Sequence, residues 1–256
     1  MRTARQLPGW LLPALLSVAT LWPIASLAQS GEVNSDAIKE LRRATDYLAG
    51  LKQFRLETDS SIDAVISTGQ KLQYGNRVAV TVQRPNRLRA ERIGELVNQV
   101  FYYDGKSLSV NYPTEKYYAT VPAPPTNEAM LDFARDKLNV IAPAADLVYK
   151  NAFDRLTEGL TSAFIVGDAV VGGVPCVHIA LRNPEVDWQI WIENGDKPLP
   201  RKFVVTSKKM AQSPQFSVTI SKWDAAPKLT DAMFRFVPPK GSRKIDFLPA
   251  PGAAKN

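Results

Sequence analysis

From Phe54 onward apolar residues recur at every second position, run after run, and that period limits what the chain can become. In "FRLETDSSIDAVI" Phe54, Leu56, Ile62, Ala64 and Ile66 share one face, while Arg55, Glu57, Asp59 and Asp63 share the other. In "KLQYGNRVAVTV" Leu72, Tyr74, Val78, Val80 and Val82 face inward, and Lys71, Gln73, Arg77 and Thr81 face outward. Alternation of this kind is the mark of a strand with one wet face. "NRLRAERI", "NQVFYYDGKSLSVNY" and "KYYATV" continue the series, and Asp104-Gly105 between two such runs signals a hairpin. Further runs, "SAFIVGDAVV", "VPCVHIALR", "DWQIWIE", "RKFVVTS" and "QFSVTISKW", resume later in the chain. Short turns such as "STGQ" join them, so the expectation is consecutive antiparallel strands.

Two stretches break the period. "NSDAIKELRRATDYLAGL" has helical spacing at Ile38, Leu41, Ala44, Tyr47, Leu48 and Leu51, with Asn34 or Ser35 to cap its start and Gly50 to end it. "VPAPPTNEAMLDFARDKLNVIAPAADLVYKNAFDRL" is helical and punctuated by proline. Thr126 caps a first helix carrying Met130, Phe133, Ala134 and Leu138. Pro143 opens a second, with Leu147, Val148 and Phe153. The tail "LTDAMFRFVPPKGSRKIDF" reads as a helical turn, a last strand and an irregular end. The class is α+β: one antiparallel sheet with helices grouped on one face.

The first 28 residues belong outside this fold. Arg2 and Arg5, the short run "LLPALLSVATLW", and small residues Ser26 and Ala28 form the pattern of a cleaved secretory signal peptide. The run is too short and too proline-broken for a membrane span, which needs about 20 apolar residues. The expected mature chain begins near Gln29, forms a single domain over 29–256 and lies outside the cytoplasm. The net charge of +7 is spread among acids. Nucleic acid would call for a denser basic patch, so it is not an expected partner. One cysteine cannot make an internal disulfide, so packing must hold the fold.

That cysteine, Cys176, stands two residues from the only histidine, His178. On a strand the two side chains point the same way, roughly 7 Å apart. A Cys–His nucleophile pair needs hydrogen-bond reach, about 3 Å, and a third orienting group. A zinc site would need two more ligands, and only carboxylates remain. No nucleophile elbow, phosphate loop or dinucleotide fingerprint appears. The pair therefore reads as structural. No enzyme, metal or cofactor is expected.

What the chain does carry is apolar surplus. Aromatics gather in "VFYYDG", "NYPTEKYYATV", "DWQIWI" and "SKW". A sheet covered by a few helices can leave an apolar cleft or fill the space completely. Composition alone leans toward the filled core.

The stretches "VQRPNRLRAER" and "VFYYDGKSLSVNYPTEKYY" resemble LolA-like carriers of bacterial outer-membrane lipoproteins, as do "LPRKFVVTS", "SVTISKW" and "LTDAMFRFVPPKGSRKI". "CVHIALRNPEVDWQIWIENGDKPLPRKFVV" is similar to an uncharacterised family of predicted periplasmic proteins in the same superfamily. The resemblance covers nearly the whole mature chain. It implies a half-barrel sheet of about eleven strands, with helices as a lid over the concave face and a hydrophobic cavity beneath. It also implies an arginine that holds the lid loops, for which Arg84, Arg87 and Arg89 are candidates. Expected cavity residues are Leu56, Ile62, Leu72, Tyr74, Val78, Val80, Trp188, Ile190, Phe216 and Val218 from the sheet. Met130, Phe133, Leu138 and Leu147 join them from the lid. The resulting expectation is a periplasmic binder or carrier of a hydrophobic or acylated ligand, lipid or lipoprotein, with room for peripheral membrane contact. The alternative is a sensory or scaffold domain that binds another envelope protein, and an enzyme using Cys176 and His178 ranks third.

Overall fold

The computed structural model describes residues 31–247, apart from 141 and 143. The expected signal peptide and cleavage point lie outside the described residues, as does Pro143, the expected start of a helix. Twelve strands form one sheet: β1 (Gln53–Val65), β2 (Lys71–Gln83), β3 (Arg87–Gly94), β4 (Asn98–Tyr103), β5 (Ser107–Tyr112), β6 (Tyr117–Pro122), β7 (Ser162–Val171), β8 (Val174–Arg182), β9 (Val186–Glu193), β10 (Pro200–Ser207), β11 (Gln215–Asp224) and β12 (Arg243–Lys244). Their spatial order is β12-β6-β5-β4-β3-β2-β1-β11-β10-β9-β8-β7. Every pairing between these strands is antiparallel except β12 with β6, and an isolated parallel bridge joins Val33 to Ala163. The sheet does not close: β7 and β12 are its edges. The expected eleven strands become twelve because the two-residue β12 adds itself beside β6.

Turn chemistry accounts for the consecutive pairing. Asp104 Oδ1 accepts from the backbone N–H of Lys106 and Ser107, and Gly105 takes φ 87°, which turns β4 into β5. Gly172 and Gly173, at φ 56° and 81°, close β7 onto β8 in the same way. One irregularity matters for the face pattern. Ser221 is bulged opposite Glu57/Thr58, so Ile220 and Trp223 point to the same side although their numbers differ by three.

Three helices lie on one face: α1 (Ser35–Gly50), α2 (Asn127–Leu138) and α3 (Ala152–Thr157). Asn34 caps α1 by accepting from the N–H groups of Asp36 and Ala37. Thr126 caps α2 through Ala129. The second lid helix expected from the proline-rich segment divides into a 3₁₀ turn, Ala145–Val148, and α3. No helix of the described residues is long and apolar enough to cross a membrane.

The core has two halves. Under α1, Ala37, Leu41, Ala44 and Leu48 pack against Ile179, Leu181, Trp188, Ile190, Ile192 and Phe203, all buried. Under α2, Met130 and Ala134 pack against Phe54, Val82, Leu88, Tyr103 and Leu108. The first half is filled. The second is not.

Candidate functional site

Between α2, the 3₁₀ turn and the sheet lies a partly open cavity of about 360 Å³. This is within the range of small-molecule pockets, roughly 300–1,000 Å³, and far above the voids of a packed interior. Its floor comes from β1–β5 and β11, and the register stacks the floor residues in rows across the sheet. Phe54, Val82, Leu88, Tyr103 and Leu108 form the first row, all buried. Leu56, Val80, Ala90 and Phe101 form the second, with Trp223 beside Leu56. The third is Thr58, Val78, Arg92 and Gln99, and the fourth holds Ser60 and Asn76. Met130, Leu131, Ala134, Val140, Leu147 and Val148 supply the roof.

The expected cavity residues divide. Leu56, Ile62, Val78, Val80, Phe216, Val218, Met130 and Leu147 line the space. Trp188 and Ile190 do not: they sit on β9 beneath α1, where the core is filled. Leu72 and Tyr74 share the correct face but lie beyond Asn76, the last β2 residue paired with β3. They lie outside the lining, although Ile62, the β1 partner of Tyr74, belongs to it. Phe133 is displaced by Leu131, because α2 is rotated so that Met130, Leu131 and Ala134 form the inward stripe. Leu138 packs on the core nearby without lining the space.

Of the three arginines, Arg84 meets the lid. Its side chain is only 5% exposed. Nη2 donates to Val148 O (2.6 Å), Nε to Leu51 O (3.2 Å) and Nη1 to Glu128 Oε1 (3.1 Å). One guanidinium thus ties the end of α1, the first turn of α2 and the 3₁₀ turn. Burial lowers its affinity for the proton and Glu128 opposes that, but an arginine remains charged throughout. The adjoining Pro85 carbonyl accepts from Asn127 N–H and fixes the start of α2 (2.8 Å). Tyr149, pushed up to about 12 by burial and by its bond to Asp132, follows the 3₁₀ turn and is itself buried. Among the described residues Arg87 bonds to its neighbour Asn86, and Arg89 pairs with Glu91 (2.8 Å). Both have odd parity on β3 and point away from the cavity.

The residue that sequence reasoning passed over is Arg92. It follows the parity of Leu88 and Ala90, which places a charge on the cavity face of β3; that break in the alternation was its signal. Nε donates to Asn76 Oδ1 (2.8 Å), and among the described residues no carboxylate pairs with it. Phe54, Leu88, Ala90, Phe101 and Leu108 were also missed as lining, although each belongs to an alternating run.

A model of the family described as "Predicted periplasmic protein (DUF2092)" matches residues 37–248. The chain belongs to that family. No curated protein matches this DUF2092 chain in sequence. Among solved structures it is similar to LprF from Mycobacterium bovis, at 14% identity and TM-score 0.48, over 82% of this chain and 99% of that one. It is also similar to a protein of the complex of Pseudomonas aeruginosa MucA/MucB, at 15% identity and TM-score 0.43, over 78% of this chain and only 60% of that one. For the LolA superfamily protein NE2245 from Nitrosomonas europaea the values are 10% and 0.37, over 78% and 97%.

The Cys176–His178 pair of this DUF2092 protein lies on the other face of the sheet. His178 stacks on Trp191, with centroids 4.0 Å apart and planes at 10°, and its Nε2 bonds to Gln189 Oε1 (3.0 Å). The Cys176 sulfur donates to Val174 O. Burial pushes the thiol up, which keeps it protonated and a poor nucleophile. Burial pushes the imidazole down. Each group is thus satisfied by a partner other than its neighbour. Among the described residues no three His, Cys, Asp or Glu side chains gather as a metal would need.

Proposed function

We propose that this DUF2092 protein is exported, loses residues 1–28, and binds a hydrophobic or acylated ligand in the periplasm without catalysing a reaction on it. The observation that carries the reading is the cavity of about 360 Å³, floored by Leu56, Val80 and Phe101 and roofed by Met130, Leu147 and Val148. A chain that needed only stability would close such a space, since each buried methylene removed from water contributes about 0.8 kcal/mol. Leaving it open under a roof clasped by one buried arginine suits a carrier that must admit and release its ligand. The family description supports the compartment.

A second reading, a domain that binds another envelope protein, draws on the edge strand β7, which exposes Ile165, Val166 and Val170. An exposed apolar edge is a template for another strand.

Protein isolated from a periplasmic fraction separates the two. Intact mass should lack residues 1–28, and an organic extract analysed by mass spectrometry should contain a stoichiometric acyl compound. A lipid-free protein that also fails to bind a fluorescent fatty-acid probe would overturn the carrier reading and leave the scaffold one.

A further inference from the structure

The cavity is polarised along the strand direction. Its first two rows are apolar except for the Tyr103 hydroxyl, which donates to Pro124 O, and the first is buried. Two residues further along each strand, roughly 7 Å away, the third row brings Thr58, Arg92 and Gln99, and the fourth brings Ser60 and Asn76. The first row is buried, whereas Val78, Arg92, Gln99, Ser60 and Asn76 are partly exposed and Thr58 is buried between them. The Thr58 and Ser60 hydroxyls are engaged with the Val78 and Asn76 carbonyls. Among the described residues, the groups left to meet a ligand are the Arg92 guanidinium, which uses Nε on Asn76, and the side-chain amides of Gln99 and Asn76. A cation half removed from water, with no carboxylate partner among the described residues, is costly unless an anion completes it.

We infer that the ligand is an anionic amphiphile: one acyl chain laid over the rows of Leu56 and Phe54, with a carboxylate or phosphate head received by the two free nitrogens of Arg92 and the Gln99 amide. The guanidinium fork suits either head, because both present paired oxygens to two parallel N–H donors. From the Phe54 row to the Arg92 row is about 13 Å at strand rise, so a long acyl chain lies bent within the cavity. The inference rests on the proposed carrier function and adds the chemistry of the ligand's head.

Palmitate, hexadecyl phosphate and hexadecanol share a tail and differ in the head. Each is titrated at pH 8 against delipidated protein loaded with a neutral apolar fluorophore. Both anions should bind at least 10-fold more tightly than the alcohol, with a preference that shrinks as salt is raised. Arg92→Gln should bring the anions to within about 3-fold of hexadecanol. Arg92→Lys, which keeps the charge, should retain part of the preference, and its melting temperature alongside that of Arg92→Gln guards against misfolding. A preference for palmitate alone would assign a fatty acid, and one for hexadecyl phosphate alone a phospholipid-type head. Equal affinity for acid and alcohol in the wild type, or an anion preference that survives Arg92→Gln, overturns the inference while the carrier reading stands. If none of the three binds, both fall.

Discussion

At the scale of single residues, His178 shows how a side chain that looks catalytic is explained by packing. The ring lies flat on Trp191, and Lys202 sits over the same indole, 4.8 Å from its centroid. Burial, with Lys202 adding to it, holds the imidazole below its ordinary value of 6.5 against the opposing bond from Gln189. The folded protein therefore keeps His178 neutral where the unfolded chain would take up a proton. Stability from this source is complete above pH 6.5 and is lost as pH falls through that value toward the lower folded one. The lowered carboxylates Asp63, Asp104 and Asp187 act only below about pH 4, so the two windows separate. Thermal melts at pH 7.5, 6.5 and 5.5 should show a decline in the wild type that is visibly flatter in His178→Gln. At pH 7.5 that variant, and Cys176→Ser, should each cost on the order of 1–2 kcal/mol and leave probe binding intact. A variant that melts like the wild type but no longer binds would return the pair to the list of functional residues.

At the scale of elements, the roof is tied down by Arg84 as well as by its own packing. The segment after α2 is short, and the 3₁₀ turn that follows buries only Leu147 and Val148. Arg84 holds that turn through Val148 O and holds α2 through Glu128. Arg84→Ala leaves three acceptors without their donor, and hydrogen bonds to charged groups contribute about 1.5–3 kcal/mol each. A loss of about 3 kcal/mol is expected in urea unfolding, together with faster release of a bound probe in stopped-flow dilution. Arg84→Lys should rescue little, because one ammonium cannot span three directions. A probe off-rate unchanged in Arg84→Ala would remove the clasp from the mechanism. Helix starts were legible here because Asn34 and Thr126 carry capping chemistry in their own side chains. The choice among Arg84, Arg87 and Arg89 was not. Parity sorts residues within a strand, and Arg84 lies just past the end of β2, where alternation has nothing to say. The rotation of α2 was equally hidden: Phe133 and Leu131 are both apolar, and only contact with the sheet decides which one turns inward.

At the scale of the whole molecule, one sheet supports two different interiors. Alternation made the inward face legible along nearly every strand, because burying one face of a pleated strand fixes every side chain. It could not show which part of that face meets a helix closely enough to be filled. Trp188 and Ile190 carry the same signature as Leu56 and Val80, yet α1 covers the first pair and a cavity lies over the second. The difference comes from how the helices are spaced over the sheet, a property of no single run of sequence. It also gives the two halves opposite responses to a larger side chain. Ile190 is fully buried among close neighbours. There, Ile190→Trp must force off-rotamer packing and should cost roughly 1–3 kcal/mol or more. Val80 borders empty space on its inward side. Val80→Trp should be tolerated within about 1 kcal/mol of the wild type, since it fills the cavity and removes apolar surface from water. The same substitution should abolish binding of a fatty-acid probe, whereas a folded Ile190→Trp should still bind it. Urea unfolding and probe titration on the two variants measure both quantities. Equal destabilisation at the two positions would mean that the space above Val80 closes in solution. The molecule would then have one filled core rather than a core and a container.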